Sequence, residues 1–275
     1  MDAGAQSQGG MCVAQIVQPD ARQHRLLDRL AEVAGDVLEP GALDKRRRDR
    51  LQITEDIEQV GGARGANVYL ISSEDGAILV DSGLPGSGAA LVRYLSGRPA
   101  LKLRYIVLTH ADPDHIGGAA AVKRATAAIV AIGAEDAPAL AGEKPSKALK
   151  GPLGLLFRVL FGVAMRVQHL KADLILEDGD TIGGFEVIAV PGHTDGSLAL
   201  WRPRDRLLIS GDALLTDRHG AELPPRQGAA GDYAQALKSA AALGQLGYQY
   251  LLPGHGRPRV AGVDEPANSD SREGR

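Results

Sequence analysis

The residues with the most evident chemistry stand in YIVLTHADPDHIGG, Tyr105 to Gly118, where His110, Asp112, Asp114 and His115 place four potential metal ligands within six residues. They follow a short apolar or β-branched run, Ile106 to Thr109, which is too brief for a helix and suits a strand buried on both faces. Pro113 is expected to break regular structure, and Gly117-Gly118 to permit a tight turn. The ligands would then lie on a loop at a strand's carboxyl end, where α/β folds carry their chemistry.

The same arrangement recurs downstream. FEVIAVPGH ends on His193, DRLLISGD on Asp212 and YQYLLPGHG on His255, so four of the chain's seven histidines fall at the ends of apolar runs. Imidazole and carboxylate together suit zinc, iron or manganese. Seven such groups are too many for one tetrahedral ion and fit two ions that share a ligand. The single cysteine, Cys12, excludes thiolate clusters and an intramolecular disulfide framework.

The elements that must hold these groups are short. From Leu51 the chain reads as strands and turns: LQITEDIEQV, ANVYLISS and AILVDSG, with Glu74-Asp75-Gly76 as the turn between the second and third. Helices are predicted from Ser87 to Ser96, from Gly118 to about Ala125 and from Asp232 to Leu246, and a further strand at AAIVAI. A Gly/Pro-rich loop is expected from Ala213 to Gly231. This order of a β-meander followed by β-α units predicts a mixed sheet covered by helices. Ahead of it, residues 1–50 read as an N-terminal extension with an amphipathic helix from Ala21 to Leu38, whose His24 is a surface residue. The basic run Lys45 to Arg50 reads as a solvated segment, and residues 261–275 as a disordered tail. Residues 135–172 form a helical insertion whose apolar stretch Leu153 to Val167 is either a core helix or the wall of a small-molecule pocket. It carries Phe157 and Phe161, whereas His169 beyond it is structural.

Composition narrows the partners. A net charge of −3 gives no reason to expect nucleic acid or an anionic membrane, and no run approaches the roughly 20 apolar residues of a membrane helix. With no secretory leader visible, a cytoplasmic location and a small-molecule substrate are expected, with a homo-oligomer left open.

VDSG around Asp81, HADPDH, PGHTDGS around His193, SGD around Asp212 and PGHG around His255, in that order, resemble the five motifs of the metallo-β-lactamase-fold superfamily. The resemblance runs from about Leu51 to Arg257. It implies an α/β (α+β) fold, an αββα sandwich of two mixed β-sheets flanked by helices, with residues 51–260 as the domain. It also implies that His110, Asp112 and His193 hold one ion, that Asp114, His115 and His255 hold another, and that Asp212 bridges them. Asp81 would orient the ligand loop through hydrogen bonds.

One departure stands out. The usual motif is H-x-H-x-D-H, and here Asp112 replaces the second histidine. Flavodiiron proteins, iron-binding members of the superfamily, are similar in carrying a carboxylate there. Zinc is the expected metal at both positions, and a harder ligand moves preference toward iron or manganese. Two divalent ions, three aspartates and a bridging hydroxide sum to zero, where the usual two-aspartate set leaves +1, which points the same way.

The resemblance implies a metal-dependent hydrolase, in which a metal-bridging hydroxide attacks a small ester, lactone, thioester or related substrate, with Asp114 and Asp212 at the catalytic centre. Only about twenty residues follow His255, so the C-terminal helical domain of glyoxalase II-type enzymes is not expected. A nuclease of this fold is disfavoured by charge and by the absence of an extra domain between Asp212 and His255. For a proton donor or oxyanion contact the candidates are His219, Arg218 and Tyr233. A non-haem iron oxidoreductase and a non-catalytic metal-binding protein are the alternatives.

Overall fold

The structure, a computed structural model, describes residues 51–147 and 167–260. The expected N-terminal helix, the basic run, the tail, and Phe157 and Phe161 of the expected apolar wall lie outside the described residues.

Two sheets are built from consecutive stretches of chain. The first holds seven strands among the described residues, in sequence order. They are β1 (Leu51–Gln52), β2 (Ile57–Gln59), β3 (Tyr69–Ile71), β4 (Ala77–Val80), β5 (Leu103–Leu108), β6 (Ile129–Gly133) and β7 (Leu174–Leu176). β1 to β4 pair antiparallel, and β4 to β7 pair parallel. Helices α1 (Gly88–Ser96), α2 (Pro113–Ile116), α3 (Ala119–Thr126) and α4 (Ala137–Leu140) fall between the parallel strands. The second sheet follows with β8 (Thr181–Ile182), β9 (Phe185–Ala189), β10 (Leu198–Arg202), β11 (Leu207–Gly211), β14 (Tyr250–Pro253) and β15 (Arg259–Val260). A small hairpin of β12 (Leu215–Thr216) and β13 (Glu222–Leu223) precedes helix α5 (Tyr233–Gly244).

Alternation along the strands divides the interior into three cores. Leu70, Leu79, Ile106, Leu108, Val130 and Ile132 face Leu91 and Leu95 of α1 and Val122 of α3. Their neighbours Tyr69, Ile71, Ile78, Val80, Val107 and Ala131 face the other way, onto Phe185, Val187, Leu198, Leu200 and Ile209 of the second sheet. The far side of that sheet, with Ala199, Trp201, Leu208 and Leu251, is covered by Ala240 and Leu243 of α5. Helix, sheet, sheet, helix is thus the order of layers, as expected. Each fully buried Leu, Ile, Val or Phe contributes about 1.5–3 kcal/mol, so a register slip of one residue in any central strand would forfeit many of these contributions together.

Two local readings of the sequence need correction. LQITEDIEQV is not one strand but a hairpin, because Thr54 Oγ1 donates to Asp56 Oδ1 at 2.7 Å and turns the chain back so that Leu51 pairs with Gln59. Pro113 does not break regular structure; it opens the one-turn helix α2, at the first position, where a missing N–H is not needed. The loop expected over Ala213 to Gly231 contains the β12–β13 hairpin. No helix among the described residues is long and apolar enough to cross a membrane.

Candidate metal centre

β5 ends at Leu108, and the next residue begins the site. Thr109 donates its backbone N–H (2.8 Å) and its hydroxyl (2.9 Å) to the Asp81 carboxylate, which also receives His115 Nδ1 at 2.8 Å. Asp81 itself follows β4 with φ of 61°, a left-handed conformation that aspartate tolerates better than most residues. Its carboxylate fixes the tautomer and tilt of His115, leaving Nε2 to face the centre of the cluster.

Three further loops are pinned against the first. Asp136, buried at the residue that leads into α4, accepts from Ala111 N at 2.7 Å, Thr194 Oγ1 at 2.8 Å and Gly196 N at 3.0 Å, tying the HADPDH loop to the PGHTDGS loop. The backbone of Gly192, at φ of 125°, passes so close to α5 that a Cβ would fall 2.2 Å from Ala236 N, and this contact sets the path into His193. Across the sheets, Tyr69 Oη donates to Pro253 O at 2.7 Å and Asn67 N to Gly254 O at 2.7 Å, holding the loop that carries His255. Gly254 is bare for a reason: a Cβ there would sit 2.4 Å from Asp212 Oδ1.

These restraints bring all seven expected ligands together. Asp212 lies in the middle, with Oδ1 3.4 Å from His115 Nε2 and Oδ2 3.5 Å from His193 Nε2 and 3.6 Å from His255 Nε2. His110, His193 and Asp212 form one group able to hold a cation; Asp114, His115 and His255 form a second. In the second group His255 Nε2 is 3.1 Å from Asp114 Oδ2. Asp112 joins the first group, 3.0 Å from His193 Nε2 and 3.6 Å from His110 Nε2.

Unpaired buried atoms show that the donor set fits a metal. Among the described residues, the buried side-chain polar atoms without a hydrogen-bond partner are His110 Nε2, His115 Nε2 and Asp212 Oδ1, all at this point. Leaving such an atom unpaired costs about 1–3 kcal/mol, a cost that coordination to a cation removes. Burial favours the neutral form of Asp212, but the His255, His115 and His193 side chains overcome it and hold the carboxyl well below its usual range. Asp112 behaves alike, with Lys147 foremost among the groups that oppose burial. For His115, burial is outweighed by Asp81, Asp212 and Asp114, which raise it well above the ordinary imidazole value. Anionic oxygens and inward imidazoles are the donors that divalent ions require.

Other groups behave differently. His219 is exposed on the β12–β13 turn, where Arg218 Nε donates to its Nε2 at 2.8 Å, and Tyr233 is half-buried at the start of α5. Neither makes a hydrogen bond or ion pair with the seven. Sequence reasoning overlooked Asp136, which nonetheless repeats the strand-end pattern three residues after the end of β6. It also overlooked Ser146 and Lys147. Ser146 Oγ donates to Asp112 Oδ1 at 2.6 Å, and Lys147 Nζ lies 2.5 Å from Asp112 Oδ2 and 3.0 Å from His193 Nε2. The charge sum expected from the sequence omitted this ammonium, which cancels the added carboxylate.

Fold and site together define a metal-binding αββα sandwich with its candidate ligands on strand-end loops. The chain belongs to the metallo-beta-lactamase superfamily, whose family model matches residues 61–255. It is 31% identical over 219 residues to the probable metallo-hydrolase YflN of Bacillus subtilis (strain 168), covering 70% of this chain and 81% of that protein. It is 30% identical over 155 residues to the hydroxyacylglutathione hydrolase of Bdellovibrio bacteriovorus, spanning 54% of this chain and about half (49%) of that enzyme. Among solved structures, TTHA1623 in a di-iron-bound form is similar with a TM-score of 0.56 and 26% identity, covering 74% of this chain and 92% of that one.

Proposed function

We propose that this protein is a hydrolase with two divalent metal ions, acting on a small ester, lactone, thioester or related substrate. The observation that carries the reading is the convergence of three unpartnered buried atoms, on His110, His115 and Asp212, amid four more ligand-type side chains. His110, Asp112 and His193 would hold one ion, Asp114, His115 and His255 the other, and Asp212 both. Bound there, divalent ions make water nucleophilic near neutral pH and polarise a carbonyl or phosphoryl oxygen.

The chain's own residues supply position. Asp81 holds the His115 ring, and Asp136 keeps the two ligand-bearing loops in register. Asp212, half-buried at the meeting point of both groups, faces three histidines at once. The naming of one relative as a metallo-hydrolase and of others as hydrolases of hydroxyacylglutathione supports hydrolysis and places thioesters in the substrate panel. Zinc is the proposed ion. Iron and manganese are the competitors, iron because of Asp112 and the di-iron relative.

The test is metal analysis of purified full-length protein alongside panels of lactones, esters and thioesters, with Asp212→Ala as control. Turnover that depends on metal and disappears in the variant is expected. Full activity in Asp212→Ala would sink the reading, and activity only with oxygen and iron would replace it with an oxidoreductase.

A further inference from the structure

The two halves of the centre are built differently. On one side, Asp114 pairs with His255, and Asp212 pairs with His115, His193 and His255. On the other, the Lys147 side chain, 12% exposed, reaches in from the loop after α4. Its Nζ contacts Asp112 Oδ2 at 2.5 Å, His193 Nε2 at 3.0 Å and the carbonyl of Ala229 at 2.7 Å. Three contacts account for the three N–H groups of an ammonium. Two of them fall on the very atoms that a cation in the His110–Asp112–His193 half would take.

Resting on the metal-centre reading, we propose that Lys147 is a built-in competitor of the second ion. Its ammonium takes the cation's place against Asp112 and His193, so the centre fills stepwise, with the His115 half first. A divalent ion entering beside Asp112 must displace the ammonium, or share a buried carboxylate with it at the cost of repulsion between like charges. The lysine therefore offsets the additional affinity that a third aspartate would otherwise bring. Ser146 contributes in the same sense, because its hydroxyl already occupies Asp112 Oδ1 at 2.6 Å.

The full-length protein, stripped with a chelator, is titrated with zinc sulfate and followed by calorimetry, with bound zinc counted by elemental analysis after dialysis. The wild type is expected to bind one zinc tightly and a second about 10- to 100-fold more weakly, the weight of one charge-assisted contact. In Lys147→Met the gap should close to within about threefold, the error of such transfers between contexts. The tight site should be unchanged. Thermal melting in chelator checks that the variant folds. Should it not, Asp112→His removes the lysine's anionic partner while keeping a donor, and is expected to close the gap too. Equal affinities in the wild type, or a second site that weakens in Lys147→Met because the lysine was holding Asp112 for the metal, overturn the proposal; so does a chain that takes up no zinc. A protein that shows the two steps yet hydrolyses nothing in the panel retains this inference and loses the hydrolase reading.

Discussion

Replacing Asp136 by alanine tests how far the site depends on a residue that touches no ligand atom. Its carboxylate, 1% exposed, accepts hydrogen bonds from Ala111 N, Gly196 N and Thr194 Oγ1. In Asp136→Ala the threonine hydroxyl retains Ser197 Oγ, 2.7 Å away, whereas the two backbone N–H groups are left buried without acceptors. At about 1–3 kcal/mol for each buried unsatisfied donor, tempered by local relaxation, the loss is about 3 kcal/mol. For a domain of this size that lowers the melting temperature by about 6–12 °C. The two loops that Asp136 joins carry His110, Asp112, Asp114, His115 and His193, and only the His110–Asp112–His193 half draws ligands from both, so zinc affinity should fall most in that half, by about 10- to 100-fold, the usual cost of removing a group that orients ligands. The assay is thermal denaturation in chelator, followed by zinc titration at a temperature where the variant is folded. Asp136→Asn keeps an acceptor oxygen and should lie between. A melting point within 1–2 °C of the wild type, about the shift that half a kcal/mol produces, together with unchanged zinc binding, would refute the assignment.

Further outcomes follow from the same geometry. Asp81→Ala should lower zinc affinity about 10- to 100-fold in the His115 half by freeing the imidazole, with a smaller effect on the other half; equal losses in both would contradict the orienting role. Gly254→Ala should fold but lose about 100-fold in turnover, because the added methyl pushes Asp212 aside; unchanged rates would show that the loop can yield. Asp56 is held below its usual value: burial opposes this, but the Arg202 guanidinium and Thr54 outweigh it. Its contribution is therefore fully present above the unfolded-state pKa and is lost as pH falls through the lower folded-state value. Asp56→Asn should cost about 1 kcal/mol in urea denaturation at pH 7, since Asp205 still grips Arg202, and nothing at acid pH; a penalty independent of pH would remove the pair from the account.

Most of the site could be read from the chain because its ligands obey a positional rule. His110, His193, Asp212 and His255 each follow an apolar strand, and strand patterns are visible in a single sequence. The helices α1, α3 and α5 start and stop within a residue or two of the expected bounds, each carrying an apolar stripe. What escaped was whatever depends on side chains crossing between loops. Lys147 lies in a segment chopped by Pro138, Gly142 and Pro145, with no period to say where its tip goes. Asp136 has no nearby pattern to mark it, its partners being 25 and 60 positions away along the chain. Pro113 was misread because a proline that ends one element can as readily begin the next.

Each large sheet draws on its own stretch of chain, β1 to β7 and then β8 to β11 with β14 and β15, and the candidate ligands divide along that seam. The first piece brings His110, Asp112, Asp114 and His115; the second brings His193, Asp212 and His255. Neither half can assemble the centre alone. During refolding, zinc capture should therefore lag behind the appearance of secondary structure and coincide with docking of the two halves, so that metal uptake times the last step of folding.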